Sequence, residues 1–308
     1  MKSHMAKPAA GPVVRGIRIS SPDRIVYPKL DLTKLDLVNY YDHIADRMLP
    51  HVQDRPLTLV HCPDGLQKPC NYMRHRRVWG PDVLKRVNIK EKTKVGEYLA
   101  VVNAEGVVAL AQMGIVEVHT WNSTIDDVER PNRLVWDLDP GPEAKWQDIV
   151  AGATAVRDLL ETLGLESWVK TTGGRGIHVV APLTPQRQWD ECLAFAKAVA
   201  EALMRTNPSL YTISFPKHGR ERKILIDYLR NNRTNTSVAA FSARAREGAT
   251  VSMPVGWSQL TAKLKPESFT VLTATKQTTA DPWRGYWRCK QKISAAAFSA
   301  ITRLRKSA

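Results

Sequence analysis

Apolar residues recur at helical spacing through Leu37, Tyr41, Ile44 and Met48, which predicts an amphipathic helix over about 34–52. Thr33 followed by Asp36 supplies a capping-box start, and Pro50 and Pro56 close the helix. The apolar run 57–61 reads as a buried strand. A long loop over 62–82, rich in Pro, Gly and basic residues, follows it and has the composition of a binding loop. From Tyr98 the pattern is strand, short helix (105–113) and strand (115–121), then a polar turn and a strand over 133–139. A helix over 146–163 carries Ile149, Val150, Val156, Leu159, Leu160 and Leu163, with Gly164 as its C-terminal cap. Strands at 168–171 and 177–181, a helix over 188–204, and strands near 211–215 and 224–229 complete the pattern. This is mixed α/β (α+β) without an internal repeat or a low-complexity linker. It predicts one compact unit over 13–308, with an N-terminal lobe to about residue 130 and a catalytic lobe from 131.

Composition narrows the function classes. No apolar run is long enough to cross a membrane. Residues 1–12 lack the pattern of a secretory signal, and Met1-Lys2-Ser3-His4-Met5 resembles an expression-vector scar, so this flexible tail is set apart from the fold. Four scattered cysteines argue for a reduced, cytoplasmic chain. Cys62 and Cys70 cluster with His61 and His75, but their spacing matches no usual zinc motif and ordinary side chains are expected there. The net charge of +15 and pI of about 9.8 favour polyanionic partners. The charge is clustered, in Arg74, His75, Arg76 and Arg77 and again in Lys217, Arg220, Arg222, Lys223, Arg230 and Arg233. Neither cluster has the apolar spacing of a membrane-surface helix.

The sharpest local signal is Trp136-Asp137-Leu138-Asp139-Pro140-Gly141 at a strand end. Side chains two apart on a strand share a face, about 6.6 Å apart along its axis, so Asp137 and Asp139 project together while Trp136 and Leu138 turn away. Two acids so placed repel unless a cation joins them, and hard oxygen donors suit Mg²⁺ or Mn²⁺. Alone, such a pair also reads as a solvated strand end. Asp227, inside the apolar run Ile224-Leu225-Ile226-Asp227, is a third carboxylate that needs a partner if buried. Three carboxylates can hold two divalent ions about 3.5–4 Å apart, an arrangement that activates a hydroxyl and stabilises a leaving phosphate.

Thr172-Gly173-Gly174-Arg175-Gly176-Ile177-His178 brings together backbone N–H groups, a hydroxyl, a guanidinium and an imidazole, the inventory of a phosphate cradle. It is neither a Walker loop nor a dinucleotide fingerprint, and a plain hairpin turn is the alternative. His119 ends the strand preceding the aspartate strand. Arg244 and Arg246, on an expected strand, would share a face and could clamp phosphate oxygens.

These stretches, together with Glu117 to Asn122, Phe215-Pro216-Lys217, Ile226 to Asn232 and Phe241 to Arg246, resemble in order and spacing the polymerase domain of bacterial ATP-dependent DNA ligase D, in the archaeo-eukaryotic primase superfamily. The resemblance runs over nearly the whole chain. It implies two packed, mainly antiparallel or mixed sheets flanked by helices, two catalytic divalent ions with manganese preferred, and ribonucleotide addition at broken DNA ends and gaps. By position it makes Asp137, Asp139 and Asp227 the metal ligands. It places His119, Thr172, Arg175, His178, Lys217, Arg244 and Arg246 on the nucleoside triphosphate. Thr172 stands where the family commonly has serine, which keeps the hydroxyl. Arg24 and Lys34 resemble the pair that grips the 5′-phosphate across a gap, and Tyr72 stands where relatives carry a Phe-rich segment near the template. The implied partners are DNA ends, gapped duplexes, Ku and a ligase domain of the same polypeptide; the chain itself is expected to be a monomer associated with the nucleoid. It lacks the ligase region's lysine-centred adenylation motif and looks like a separate polymerase domain.

Two other readings compete. A primer-making primase would start a strand from two nucleotides. A non-catalytic DNA-end-binding module would bind DNA irrespective of Asp137 and incorporate nothing.

Overall fold

A computed structural model describes residues 11–75, 81–216, 218–277 and 281–306. Five helices are found among them: α1 Lys34–Val52, α2 Ala104–Gln112, α3 Trp146–Thr162, α4 Trp189–Thr206 and α5 Ala295–Lys306. The capping box of α1 forms as expected, with the Thr33 and Asp36 side chains each accepting from the other's backbone N–H. Pro50 does not close α1 but lies inside its final turns.

Two principal sheets carry the chain. The larger has the strand order Tyr211–Thr212, Ile224–Asp227, Arg133–Pro140, Ile177–Pro182, Trp168–Thr171, Pro254–Val255. Every pairing in it is antiparallel except that of Tyr211–Thr212 with Ile224–Asp227. The smaller has the antiparallel order Ser237–Val238, Ile115–Thr120, Leu57–His61, Asn71–Met73. Buried polar contacts tie the sheets together: Arg133 Nη2 donates to Trp121 O at 3.2 Å and Asn122 Nδ2 to Asn231 Oδ1 at 3.3 Å. One hydrophobic core runs from Ile19 through Trp136 and Leu138, both fully buried, to Ile301 on α5. The two residues flanking Asp137 thus anchor the aspartate strand from its inner face.

Several expectations change. The 62–82 loop contains the short strand Asn71–Met73, whose pairing sets His61 opposite Asn71. The residues just beyond that pair, Cys62 and Cys70, therefore face each other and form a disulfide with Cα atoms 4.5 Å apart, which corrects the expectation of reduced cysteines for these two, while Cys192 and Cys289 are free. His75 has its own partners in Tyr98 and Glu91. The strand expected over 211–215 ends at Thr212. The one expected over 224–229 ends at Asp227, because Asp227 Oδ1 accepts from Leu229 N at 2.8 Å and turns the chain into a 3₁₀ segment. Asn231 on that segment then imitates a paired residue, accepting from Val135 N at 2.8 Å and donating to Val135 O at 2.7 Å. The Leu84–Lys90/Val95–Val101 hairpin and α5 were only partly anticipated or not at all. Arg76, Arg77, Lys217 and residues 1–10 of the tail lie outside the described residues.

Candidate active site

Sheet register, not sequence proximity, assembles the acids. Asp137 on the central strand lies opposite Asp227 on one neighbour and opposite His178 on the other. Asp139, two residues on, shares its face, and its side chain is 52% exposed against 13% for Asp137 and 9% for Asp227. Arginines meet these carboxylates. Arg230 stands 3.2 Å from Asp137 Oδ2 and 3.0 Å from Asp227 Oδ2, and Arg220 donates to Asp139 Oδ2 at 2.8 Å. His178 Nε2 is 3.4 Å from Asp137 Oδ1, and its Nδ1 is buried without a hydrogen-bond partner.

The electrostatics differ from acid to acid. Burial acts to raise the Asp137 pKa, but His178, Arg230 and Lys170 outweigh it and hold the carboxyl well below the usual range. For Asp227 burial prevails: Arg230 pulls its pKa down only in part, and Asp137 adds to the rise. Burial and Lys170 push His178 down to about 4, so its imidazole meets Asp137 in the neutral form near pH 7.

The glycine turn forms one wall. Thr172 Oγ1 donates to Gly176 O at 3.1 Å and accepts from Gly174 N at 3.3 Å, which fixes the hydroxyl between two backbone groups. Gly173 has φ +67, and a Cβ there would come within 2.6 Å of Arg244 Cγ. Glycine is needed at that position for both reasons. Arg175 Nη2 donates to Ala144 O at 3.0 Å. Arg244 and Arg246 lie on an irregular, turn-rich segment and not on the expected strand, since Phe241 takes φ +65 and only Ala243 makes a bridge, to Val251. They reach the site nevertheless: Arg244 donates to Thr172 O, and Arg246 Nη2 stands 3.1 Å from where a Gly174 Cβ would be.

His119, Asp137, Asp139, Thr172, Arg175, His178, Arg244 and Arg246 thus line one cleft of about 220 Å³, with Arg230. Sequence reasoning missed the organising role of Glu117. This buried acid lies 2.8 Å from His119 Nε2 and 3.1 Å from Arg244 Nε, and it accepts from Ala245 N at 2.7 Å. Burial would raise its pKa, but His119 and Arg244 bring it to about 2. The available signal was a glutamate in an apolar strand, two residues before His119 and so on the same face. Arg220 and Arg230 were visible as charge but not as partners of the acids.

Tyr72 stands at the rim, 60% exposed, its ring 5.9 Å from that of His119 and its hydroxyl 3.3 Å from Thr236 Oγ1. Arg24 and Lys34 are not among the residues lining the cleft. Lys34 opens α1, is only 4% exposed, and donates to Ser20 O at 2.7 Å; Arg24 donates to Pro63 O. Burial, helped by the charge of Arg24, lowers Lys34 to about 8.

Among the described residues no three His, Cys, Asp or Glu side chains form a ready metal-binding group. A cation nonetheless already bridges Asp137 and Asp227, in the form of the Arg230 guanidinium. The oxygen-only donor set, with Asp139 alongside, fits a hard divalent ion once that arginine withdraws.

Carboxylates at the end of a central strand, beside a glycine turn and an arginine cradle, define a metal-dependent nucleotidyltransferase. The family described as LigD, primase-polymerase domain, matches residues 33–283. The chain is 36% identical over 293 residues to the multifunctional non-homologous end joining protein LigD of Pseudomonas aeruginosa, covering 91% of this chain and 34% of that protein. It is 31% identical over 246 residues to the LigD of Mycolicibacterium smegmatis, covering 79% of this chain and 32% of that protein. The polymerase domain from Mycobacterium tuberculosis ligase D, solved in complex with DNA, superposes with a TM-score of 0.81 at 28% identity, over 86% of this chain and 95% of that one. The chain belongs to the LigD primase-polymerase domain family. It spans about a third of the length of these curated relatives.

Proposed function

We propose that the chain is a template-guided polymerase of double-strand break repair by non-homologous end joining, adding one or a few nucleotides, ribonucleotides by preference, to DNA ends and gaps, with some addition independent of template. The observation that carries this reading is the register that sets Asp137, which lines the cleft, opposite both Asp227 and His178, beside the glycine turn and Arg244. Asp137 and Asp139 would hold two divalent ions, manganese in preference to magnesium, with Asp227 completing the catalytic one. Such ions lower the pKa of an attacking hydroxyl and neutralise the leaving phosphate.

The chain's own groups do the rest. Thr172, Arg175, His178, Arg244 and Arg246 supply donors for the triphosphate, and Lys217 is assigned there by resemblance. Glu117 fixes the orientation of Arg244 and His119. His119 meets the incoming nucleotide, and the exposed ring of Tyr72 beside it meets the template. Arg24 and Lys34 form the proposed 5′-phosphate site: among the described residues the buried Lys34 ammonium donates to Ser20 oxygens and meets no carboxylate, and a phosphate would provide the countercharge.

We place residues 13–308 in one folded unit of two lobes, supported by a core shared by α1, the large sheet and α5. No described helix is long and apolar enough to cross a membrane. A monomer working in the bacterial cytoplasm at the nucleoid, with Ku and a ligase domain as partners, is part of the same proposal. The test is incubation with a gapped, 5′-phosphorylated duplex, each nucleoside triphosphate in turn, and either metal. Templated ribonucleotide addition supports the reading, and no incorporation under any condition overturns it. Strand initiation without a primer would support a primase instead.

A further inference from the structure

Past the glycine turn the catalytic cleft leads into a second and larger space. This pocket, about 730 Å³, shares Gly174, Arg175 and Arg246 with the cleft. Its other walls are of two kinds. Trp146, Ile149 and Leu264 give it an apolar side, while Lys263 and Lys265 add cations to Arg175 and Arg246, opposed by Glu267. Trp146 Nε1 donates to Thr261 O at 3.1 Å, which ties α3 to the 262–267 segment and holds the two walls together. The proposed chemistry touches this space only at the shared Arg175 and Arg246: Asp137 and Asp139 line the smaller cleft, and no aspartate is among the residues lining the larger.

The cleft alone is small for a nucleotide: about 220 Å³, against roughly 300–1,000 Å³ for pockets that enclose molecules of that size. Tyr72 and His119 stand together, Asp137 lies opposite His178 in the sheet, and Gly174, Arg175 and Arg246 border both spaces. A triphosphate whose α-phosphorus is at Asp137 and whose outer phosphates meet Arg175 and Arg246 brings its terminal phosphate to the residues that the two spaces share.

We propose that the second pocket takes a group attached to the terminal phosphate, so that this chain accepts nucleoside polyphosphates bearing an aromatic or apolar γ-substituent. The inference rests on the nucleotide reading of the cleft. The four cations meet the phosphates, and the Trp146, Ile149 and Leu264 side receives the substituent, whose removal from water favours binding. The reaction remains balanced without a further reactant. A bond forms between the primer 3′-oxygen and the α-phosphorus, the P–O bond bridging α and β breaks, the hydroxyl proton passes to solvent, and pyrophosphate leaves with the substituent still attached.

The test compares ATP with ATP carrying a 1-naphthylamide on its γ-phosphate. Both are titrated calorimetrically with the full chain, manganese and a gapped 5′-phosphorylated duplex, and both are assayed for incorporation. The naphthylamide is expected to bind as tightly as ATP or tighter, and to be incorporated. Ala262→Trp, on the exposed far wall, should weaken the naphthylamide by about tenfold or more while leaving ATP within about twofold. The double variant Lys263→Ala/Lys265→Ala should weaken both nucleotides, ATP with its more highly charged terminal phosphate at least as much as the naphthylamide. If wild type binds the naphthylamide about tenfold or more weakly than ATP, or if Ala262→Trp weakens the two nucleotides alike, the pocket assignment is overturned. Failure of ATP itself to bind or be incorporated would instead overturn the nucleotide reading of the cleft, and the inference with it.

Discussion

Asp137 has an acid across one strand gap and an imidazole across the other, so replacing it removes chemistry without opening the core. Asp137→Ala and Asp227→Ala are each expected to cut nucleotide incorporation by roughly a hundredfold or more at saturating manganese, with an unchanged circular dichroism spectrum. Near-wild-type incorporation by either would remove that residue from the site. Lys34 carries a pH prediction. Its folded-state value of about 8 lies below the ordinary 10.5, so the folded protein binds that proton more weakly than the unfolded chain. Stability from this group therefore rises with pH across that window, whereas anion binding runs the opposite way. The preference for a 5′-phosphorylated over a 5′-hydroxyl gapped duplex should be full below pH 8 and fade above it. A preference still undiminished at pH 9.5 would speak against Lys34 as a phosphate ligand. At this scale the sequence showed the acids well: the two-residue spacing put Asp137 and Asp139 on one face, and an acid in an apolar run singled out Asp227. Arg230 as their partner was not legible, because its position follows from where the strand ends, and that depends on the hydrogen bond from Leu229 N to Asp227.

Among the elements, those with a clean period were legible. The expected bounds of α1 and of the Leu57–His61 and Trp168–Thr171 strands match the structure, since each buries a regular face or a continuous apolar run. The Leu84–Lys90 strand was not legible, because its lysines and arginine leave only Leu84 and Ile89 buried. The segment bearing Arg244 and Arg246 was misread for a related reason: alternation suggested a strand, but the positive φ of Phe241 and the close approach of Gly173 depend on long-range packing. Asn231 offers a test here. It satisfies both backbone groups of Val135 in the middle of the aspartate strand, so Asn231→Ala would leave a buried N–H and C=O without partners. A loss of about 2–4 kcal/mol in urea denaturation is expected, and a change under about 0.5 kcal/mol would show that the mimicry carries no weight.

For the whole molecule, the net charge of +15 predicts that affinity for a gapped duplex falls steeply and linearly on a logarithmic salt axis. A flat response in fluorescence anisotropy between low and physiological salt would exclude the polyanion reading. The parts are also cross-linked over long distances, and no sequence pattern signals this. Tyr27, beside the proposed end-binding pair, donates to Arg244 O at 3.0 Å, and Arg244 is a wall of the cleft. Arg230 has a thermodynamic meaning as well. As the resident countercharge of Asp137 and Asp227, it competes with any incoming metal, and the ion's apparent affinity is discounted by the fraction of time the arginine stays bound. A triphosphate that draws Arg230 away relieves this competition. By reciprocity, the ion then strengthens triphosphate binding by the same factor. Arg230→Gln should therefore tighten manganese binding, measured by electron paramagnetic resonance without nucleotide, by about three- to tenfold, and shrink the mutual enhancement between ion and nucleotide. In the proposed polymerase, ion and nucleotide would then be effectors of each other, and the protein without a nucleotide would rest in an idle, self-quenched state.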